Sequence, residues 1–263
     1  MTMKQIVSTA VMCFALFLLP FVAAAEEEKD GDSFEIPNHV LDISKENTAP
    51  NDASDKELVE PSKETKEILE SSAVTIENDE LIKLLNETTI KPSPIAFGYR
   101  AEIYLGRWPL HYESQQTTVN WEYQPINKNE LANVTDVQQE MSYIQQEARE
   151  INGMLTSRIT NSDTVRMMML KKTEEKTKLP LSYQVVIGKN TQLTNVYPVP
   201  PEKTGVLEAF APAVNEKGEV TFGEVYIELK GTKKQVRIKN VTKQEVGAWI
   251  PVQNHVAYSF QLH

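Results

Sequence analysis

Apolar and polar positions divide the chain into an apolar opening, a polar stretch and a long patterned body. One cation, Lys4, precedes a largely apolar run from Ile6 to Val22 that is broken by Pro20 and followed by Ala23-Ala24-Ala25 and Glu26-Glu27-Glu28. This order predicts a signal peptide over residues 1–25, with small side chains at the cleavage positions and the cut after Ala25. The alternative is an uncleaved anchor, although the run sits at the short edge of the ~17 to 25 residues needed to span a bilayer. Membrane contact is expected only through this segment, if it is kept. Residues 26–62 read as a polar, mostly disordered leader holding one apolar island, Phe34 to Ile43. The island is expected to dock on its own domain as an edge segment, with a partner-binding peptide as the alternative.

Periodic patterning begins at Ser62, which fits the N-cap of a helix over Lys63–Ser71. Asn78 fits the cap of a second, Asp79–Asn86, where Leu81, Ile82, Leu84 and Leu85 form a stripe. Lys91-Pro92-Ser93-Pro94 stops it, and Ile95 to Tyr123 reads as strand. There Val119, Trp121 and Tyr123 alternate with Asn120, Glu122 and Gln124. From Asp136 to Ser157, Val137, Met141, Ile144, Ala148, Ile151 and Leu155 recur at steps of four and three, and Thr135 with Gln138 resembles a capping box. This predicts a long amphipathic helix packed on a sheet; self-association through the same stripe is the other outcome.

Asp163 is expected to cap a helical stretch over Thr164–Lys178 whose Met167-Met168-Met169 run suits adaptable core packing. Leu181–Ile187 returns to strand, and Tyr197–Pro201 reads as an extended connector because proline donates nothing to a ladder. The C-terminal part reads as a β-meander. Strands Val206–Val214 and Glu219–Leu229 flank a turn at Asn215–Gly218, and a second turn falls at Gly231-Thr232. Val220 and Phe222 have opposite parity to Val225, Ile227 and Leu229, which predicts a bulge at Gly223. A last strand alternates Val256, Tyr258, Phe260 and Leu262 against His255, Ala257, Ser259 and Gln261. The expected fold class is therefore α+β: one domain over residues 63–263, a largely antiparallel sheet carrying one long amphipathic helix.

Composition narrows the chemistry. The single cysteine, Cys13, lies in the opening run, so a cleaved chain holds no disulfide or thiolate. Of the net charge of −10, residues 26–70 carry all of it, and the other 218 residues hold 22 charges of each sign. Nucleic acid is not expected as a partner, since phosphate binding needs a clustered basic surface. The ten glycines include no dinucleotide fingerprint, phosphate loop or nucleophile elbow, and His39, His111, His255 and His263 lack metal-ligand spacing. No cofactor or metal is expected.

The best candidate surface lies in the tract from Tyr99 to Glu122. Arg100, Glu102 and Tyr104 share a strand face, and Arg107, Trp108, His111, Tyr112 and Trp121 lie close by in sequence. Exposed aromatic rings beside carboxylates suit a sugar polymer; the plainer reading pairs Arg100 with Glu102 across strands and puts both tryptophans in the core. A glycan hydrolase using Glu102 with Glu113 or Glu122 is the catalytic alternative, and needs its carboxylates about 5 to 10 Å apart.

The export segment, the island Ile36-Pro-Asn-His-Val40 and the tract Phe97-Gly-Tyr-Arg-Ala-Glu-Ile-Tyr-Leu-Gly-Arg-Trp-Pro-Leu-His-Tyr112 together resemble the YfkD-like family of exported proteins from Bacillus and related spore-forming bacteria. The resemblance spans the mature chain. It implies no catalytic residues, and it associates the chain with the cell envelope or with sporulation. The expectation is a non-catalytic exported protein that binds a protein or a cell-wall polymer, with a self-associating structural protein as a further alternative.

Overall fold

Alternation of apolar and polar side chains runs further along this chain than short strands require, and it produces a few very long ones. The computed structural model describes residues 34–51, 59–93, 95, 98 and 100–263. The export segment with Cys13, the leader before Phe34, and Phe97 and Tyr99 of the candidate tract lie outside the described residues. Strands are β1 (Val40–Asp42), β2 (Arg100–Ala132), β3 (Gln139–Ile144), β4 (Arg149–Asn152), β5 (Met154–Leu155), β6 (Gln184–Ile187), β7 (Gln192–Val199), β8 (Thr204–Lys230), β9 (Lys233–Pro251) and β10 (His255–Leu262). Helices are α1 (Lys63–Glu70), α2 (Asp79–Glu87) and α3 (Ser162–Thr177).

Strand β8 organises the body. β2 pairs antiparallel with it from Thr204 to Lys230. Its other edge is shared: β10 takes Gly205–Phe210 and β9 takes Ala213–Lys230. β1 closes on β10 and β5 on β9, while β3–β7 and β4–β6 form separate two-stranded sheets. Buried residues of β8 change parity along its length: Leu207, Ala209 and Ala211 join one cluster, Val214, Val220 and Phe222 a second that includes α3, and Val225 and Ile227 a third that includes α1 and α2. Opposite parity means opposite faces of a strand, so one long strand serves cores on both sides.

Several expectations hold for local reasons. Ser62 Oγ accepts the Thr65 amide at 3.2 Å, and Asn78 Oδ1 accepts that of Leu81 at 3.1 Å, so both helices start where their caps predict. The Gly231-Thr232 turn joins β8 to β9, with Gly231 at φ +57°. A slip in register does fall between Phe222 and Glu224, but its extra residue lies on β9, and Gly223 stays in register with Trp108 of β2; the parity of β8 is therefore not repaired, and Val220 and Phe222 face one core while Val225 and Ile227 face another. The island docks as expected: Val40, Leu41 and Asp42 pair with β10, and Ile43 is fully buried. Burial of one such side chain stabilises by about 1.5–3 kcal/mol.

The long helix does not exist. Residues 136–157 form β3, β4, β5 and their connections, and the described residues are mostly antiparallel β with three short helices, not a sheet carrying one long helix. Val137 and Ile144, both on the expected apolar stripe, are 67% and 42% exposed, whereas Met141 and Tyr143, two apart, are buried. Period two won over period 3.5. Gly153 fits this arrangement: a Cβ there would meet the Trp249 carbonyl oxygen at 2.7 Å and Tyr183 Cδ1 at 2.8 Å, so its bare backbone is wedged against β9.

Three further expectations are corrected. No turn occurs at Asn215–Gly218, because β8 runs straight through with the Glu216 side chain buried. Tyr197–Val199 belong to β7, where Pro198 is tolerated because β7 pairs only with β3. Asp163 is not the cap of α3; Asn161, at φ +53°, precedes Ser162 without a side-chain capping bond. Within α3, Met168 and Met169 are buried and Met167 is 40% exposed.

Candidate functional site

Where β2, β8 and β9 run side by side, their registers stack side chains in rows across three strands. Residues directly opposite one another point to the same face. The rows are Arg100, Lys230 and Lys233; then Glu102, Glu228 and Gln235; then Tyr104, Tyr226 and Arg237; then Arg107, Glu224 and Lys239. The intervening positions Ile103, Val225, Ile227, Val236 and Ile238 belong to the apolar cluster beneath α1 and α2. A dry face is thus covered by helices, and the opposite face is polar with two tyrosines at its centre.

On this polar face the Tyr104 and Tyr226 rings lie 5.1 Å apart at a 41° tilt, and Tyr104 is 55% exposed. Lys239 Nζ sits 4.5 Å from the Tyr226 ring centroid and pairs with Glu102 at 2.5 Å. Tyr226 donates its hydroxyl to Glu224 at 3.0 Å, which raises its phenol above the usual range. Glu228 is fully buried beneath its neighbours: Arg100 Nε reaches it at 3.1 Å, Arg237 Nη1 at 3.3 Å and Gln235 Nε2 at 2.5 Å. The hydrogen bond from Gln235, followed by the charges of Arg237, Arg100 and Lys230, holds its carboxyl below the usual carboxylate range. Arg107 donates to the Asn240 carbonyl at 3.2 Å and to the Thr242 hydroxyl.

The structure therefore brings Arg100, Glu102, Tyr104 and Arg107 together and separates the rest of the candidate surface from them. Trp108, opposite Gly223, packs against the apolar cluster with its indole N–H on the Leu105 carbonyl at 3.0 Å. Trp121 packs against the cluster that contains α3. His111 is half-buried, and its Nδ1 has no partner among the described residues. Tyr112 is buried and donates to Glu216 at 2.7 Å; burial first, and then this bond, pushes its phenol far above the usual range.

The carboxylates of the catalytic alternative do not meet. Glu102 and Glu113 lie opposite Glu228 and Glu219, nine residues apart on β8 and roughly 30 Å at ~3.3 Å per residue. Glu122 lies beyond Glu113 and further still from Glu102. A recess of about 310 Å³ between α2 and α3, walled by Glu77, Asp79, Lys171, Lys172 and Glu175, shares no residue with the tyrosine face.

Sequence reasoning missed Glu224, Tyr226, Glu228, Arg237 and Lys239. Their signal was present as period-two polar positions alternating with Val225 and Ile227 and with Val236 and Ile238, but nothing local says which strands lie beside one another.

A family model described as YfkD-like protein matches residues 37–263. The chain belongs to the YfkD-like family. It is 51% identical over 230 residues to a Bacillus subtilis (strain 168) protein described as "Uncharacterized protein YfkD", covering 87% of each chain. Among solved structures, that of a lamprey immune protein aligns with a TM-score of 0.26 and 10% identity, over 62% of this chain and 53% of that one. The YfkD-like match includes the island at Val40 and every row of the tyrosine face.

Proposed function

We propose that this YfkD-like chain is a non-catalytic binding protein of the cell envelope that holds an extended partner, a wall polymer or a protein, on the Tyr104–Tyr226 face. The observation that carries the reading is the paired rings at the centre of an open polar face, with their fixed charged surround, in which Glu102 is held by Lys239 and neither Glu113 nor Glu122 comes near it. Exposed tyrosines supply contact area at low entropic cost, and flanking charges orient what stacks on them. Export through residues 1–25 and a setting in the envelope of spore-forming cells belong to the same proposal, supported by the apolar opening run and by the family.

The test is co-sedimentation with purified Bacillus walls, alongside cell fractionation. Retention that falls at least about tenfold in Tyr104→Ala and Tyr226→Ala, with the folded state intact by circular dichroism, supports the reading. Unchanged retention in both variants, or a wild-type protein found only in the cytoplasm, overturns it.

A further inference from the structure

The first row of the tyrosine face consists of three cations. Arg100, Lys230 and Lys233 are direct cross-strand neighbours on β2, β8 and β9, and Lys234 follows at the same hairpin end. Like charges set directly opposite one another destabilise a sheet. Arg100 is paired with Glu228, but among the described residues neither Lys230 nor Lys233 has an ion-pair partner. Over the four rows the face holds six cations (Arg100, Arg107, Lys230, Lys233, Arg237 and Lys239) and three carboxylates (Glu102, Glu224 and Glu228). Each carboxylate is already engaged, Glu102 by Lys239, Glu224 by Tyr226 and Asn240, and Glu228 by Arg100, Arg237 and Gln235. The face is therefore positive on a chain whose net charge is −10.

The cations also form a line. On β9, Lys233, Arg237 and Lys239 lie on one face across six residue steps, about 20 Å at ~3.3 Å per residue. A charged chain lying along the strands meets all of them and passes the tyrosines midway.

We infer that the partner of this face is a linear anionic polymer of phosphodiester-linked polyol or sugar units, its phosphates following Lys230, Lys233, Arg237 and Lys239 and its repeat units stacking on Tyr104 and Tyr226. This rests on the binding reading above and names its ligand class. Phosphate neutralisation by Lys and Arg makes such binding salt-dependent.

The full chain is sedimented with walls before and after hydrofluoric acid has removed their phosphodiester polymer, and with phosphatidylglycerol vesicles, at a series of salt concentrations. Expected results are retention on untreated walls only, a steep loss between 50 and 200 mM salt, and at least about tenfold weaker retention with a shallower salt slope for K230Q/K233Q. Equal retention on stripped walls overturns the anionic-polymer inference; if Tyr226→Ala still abolishes that retention, the binding reading survives it. Binding to vesicles without binding to walls overturns the inference in favour of a lipid surface. Both lysines are exposed strand-end residues, so the double variant keeps the fold, and the Lys230→Arg/Lys233→Arg control is expected to bind as wild type.

Discussion

Tyr112 donates its hydroxyl to Glu216 at 2.7 Å, joining β2 to β8 through a carboxylate with no solvent exposure. Thr117 donates to the other oxygen at 2.6 Å. Both donors are neutral, so the site holds its carboxylate by hydrogen bonds from hydroxyls. This buried bond lies where the local sequence, Asn-Glu-Lys-Gly, reads as a turn and where β8 is instead laddered to β2 and β9 on both sides.

Tyr112→Phe leaves one Glu216 oxygen without that donor and is expected to destabilise the fold by about 1–3 kcal/mol. Urea unfolding measures it. A cost indistinguishable from zero would show that the bond does not hold the strand pair, and Tyr112→Phe combined with Glu216→Gln is expected to cost less than the sum of the two single changes.

Acid should destabilise the fold in part through Glu228 on the tyrosine face. Glu228 has its carboxyl held below the usual range, so the stability it contributes is present above the unfolded carboxylate value of about 4.3 and is lost as pH falls through its lower folded value. Urea midpoints should be flat above about pH 5 and fall below about pH 4, with a shallower acid limb in Glu228→Gln. An identical acid limb in that variant would remove Glu228 as a cause.

Gly153→Ala distinguishes strand from helix by the sign of its effect. In an exposed helix interior the change would stabilise by about 1 kcal/mol. Against β9, the new methyl meets the Trp249 carbonyl and the Tyr183 ring, and a loss of about 1–3 kcal/mol is expected. A rise in thermal midpoint would contradict the strand.

Where a signal is local, the sequence carried it. Ser62 and Asn78 cap their helices through their own side chains, and Gly231 supplies the positive φ of a two-residue turn. Family membership was also legible, since the tract around Tyr104 and the island at Val40 are contiguous residues.

Tertiary structure decided everything that depends on a distant neighbour. Residues 136–157 carry both a four-three stripe and a period-two pattern; the second is realised in strands paired with β6, β7 and β9, as much as about a hundred residues away. Tyr104 becomes a site residue only beside Tyr226 and Arg237, and Arg100 only in line with Lys230 and Lys233. By itself the sequence determined the caps, the tight turn and the alternation of faces, because each is written in residues a few positions apart. Which strands lie together, and so which charges add and which rings meet, was settled by hydrogen-bond register between segments remote in sequence, where local pattern exerts no force.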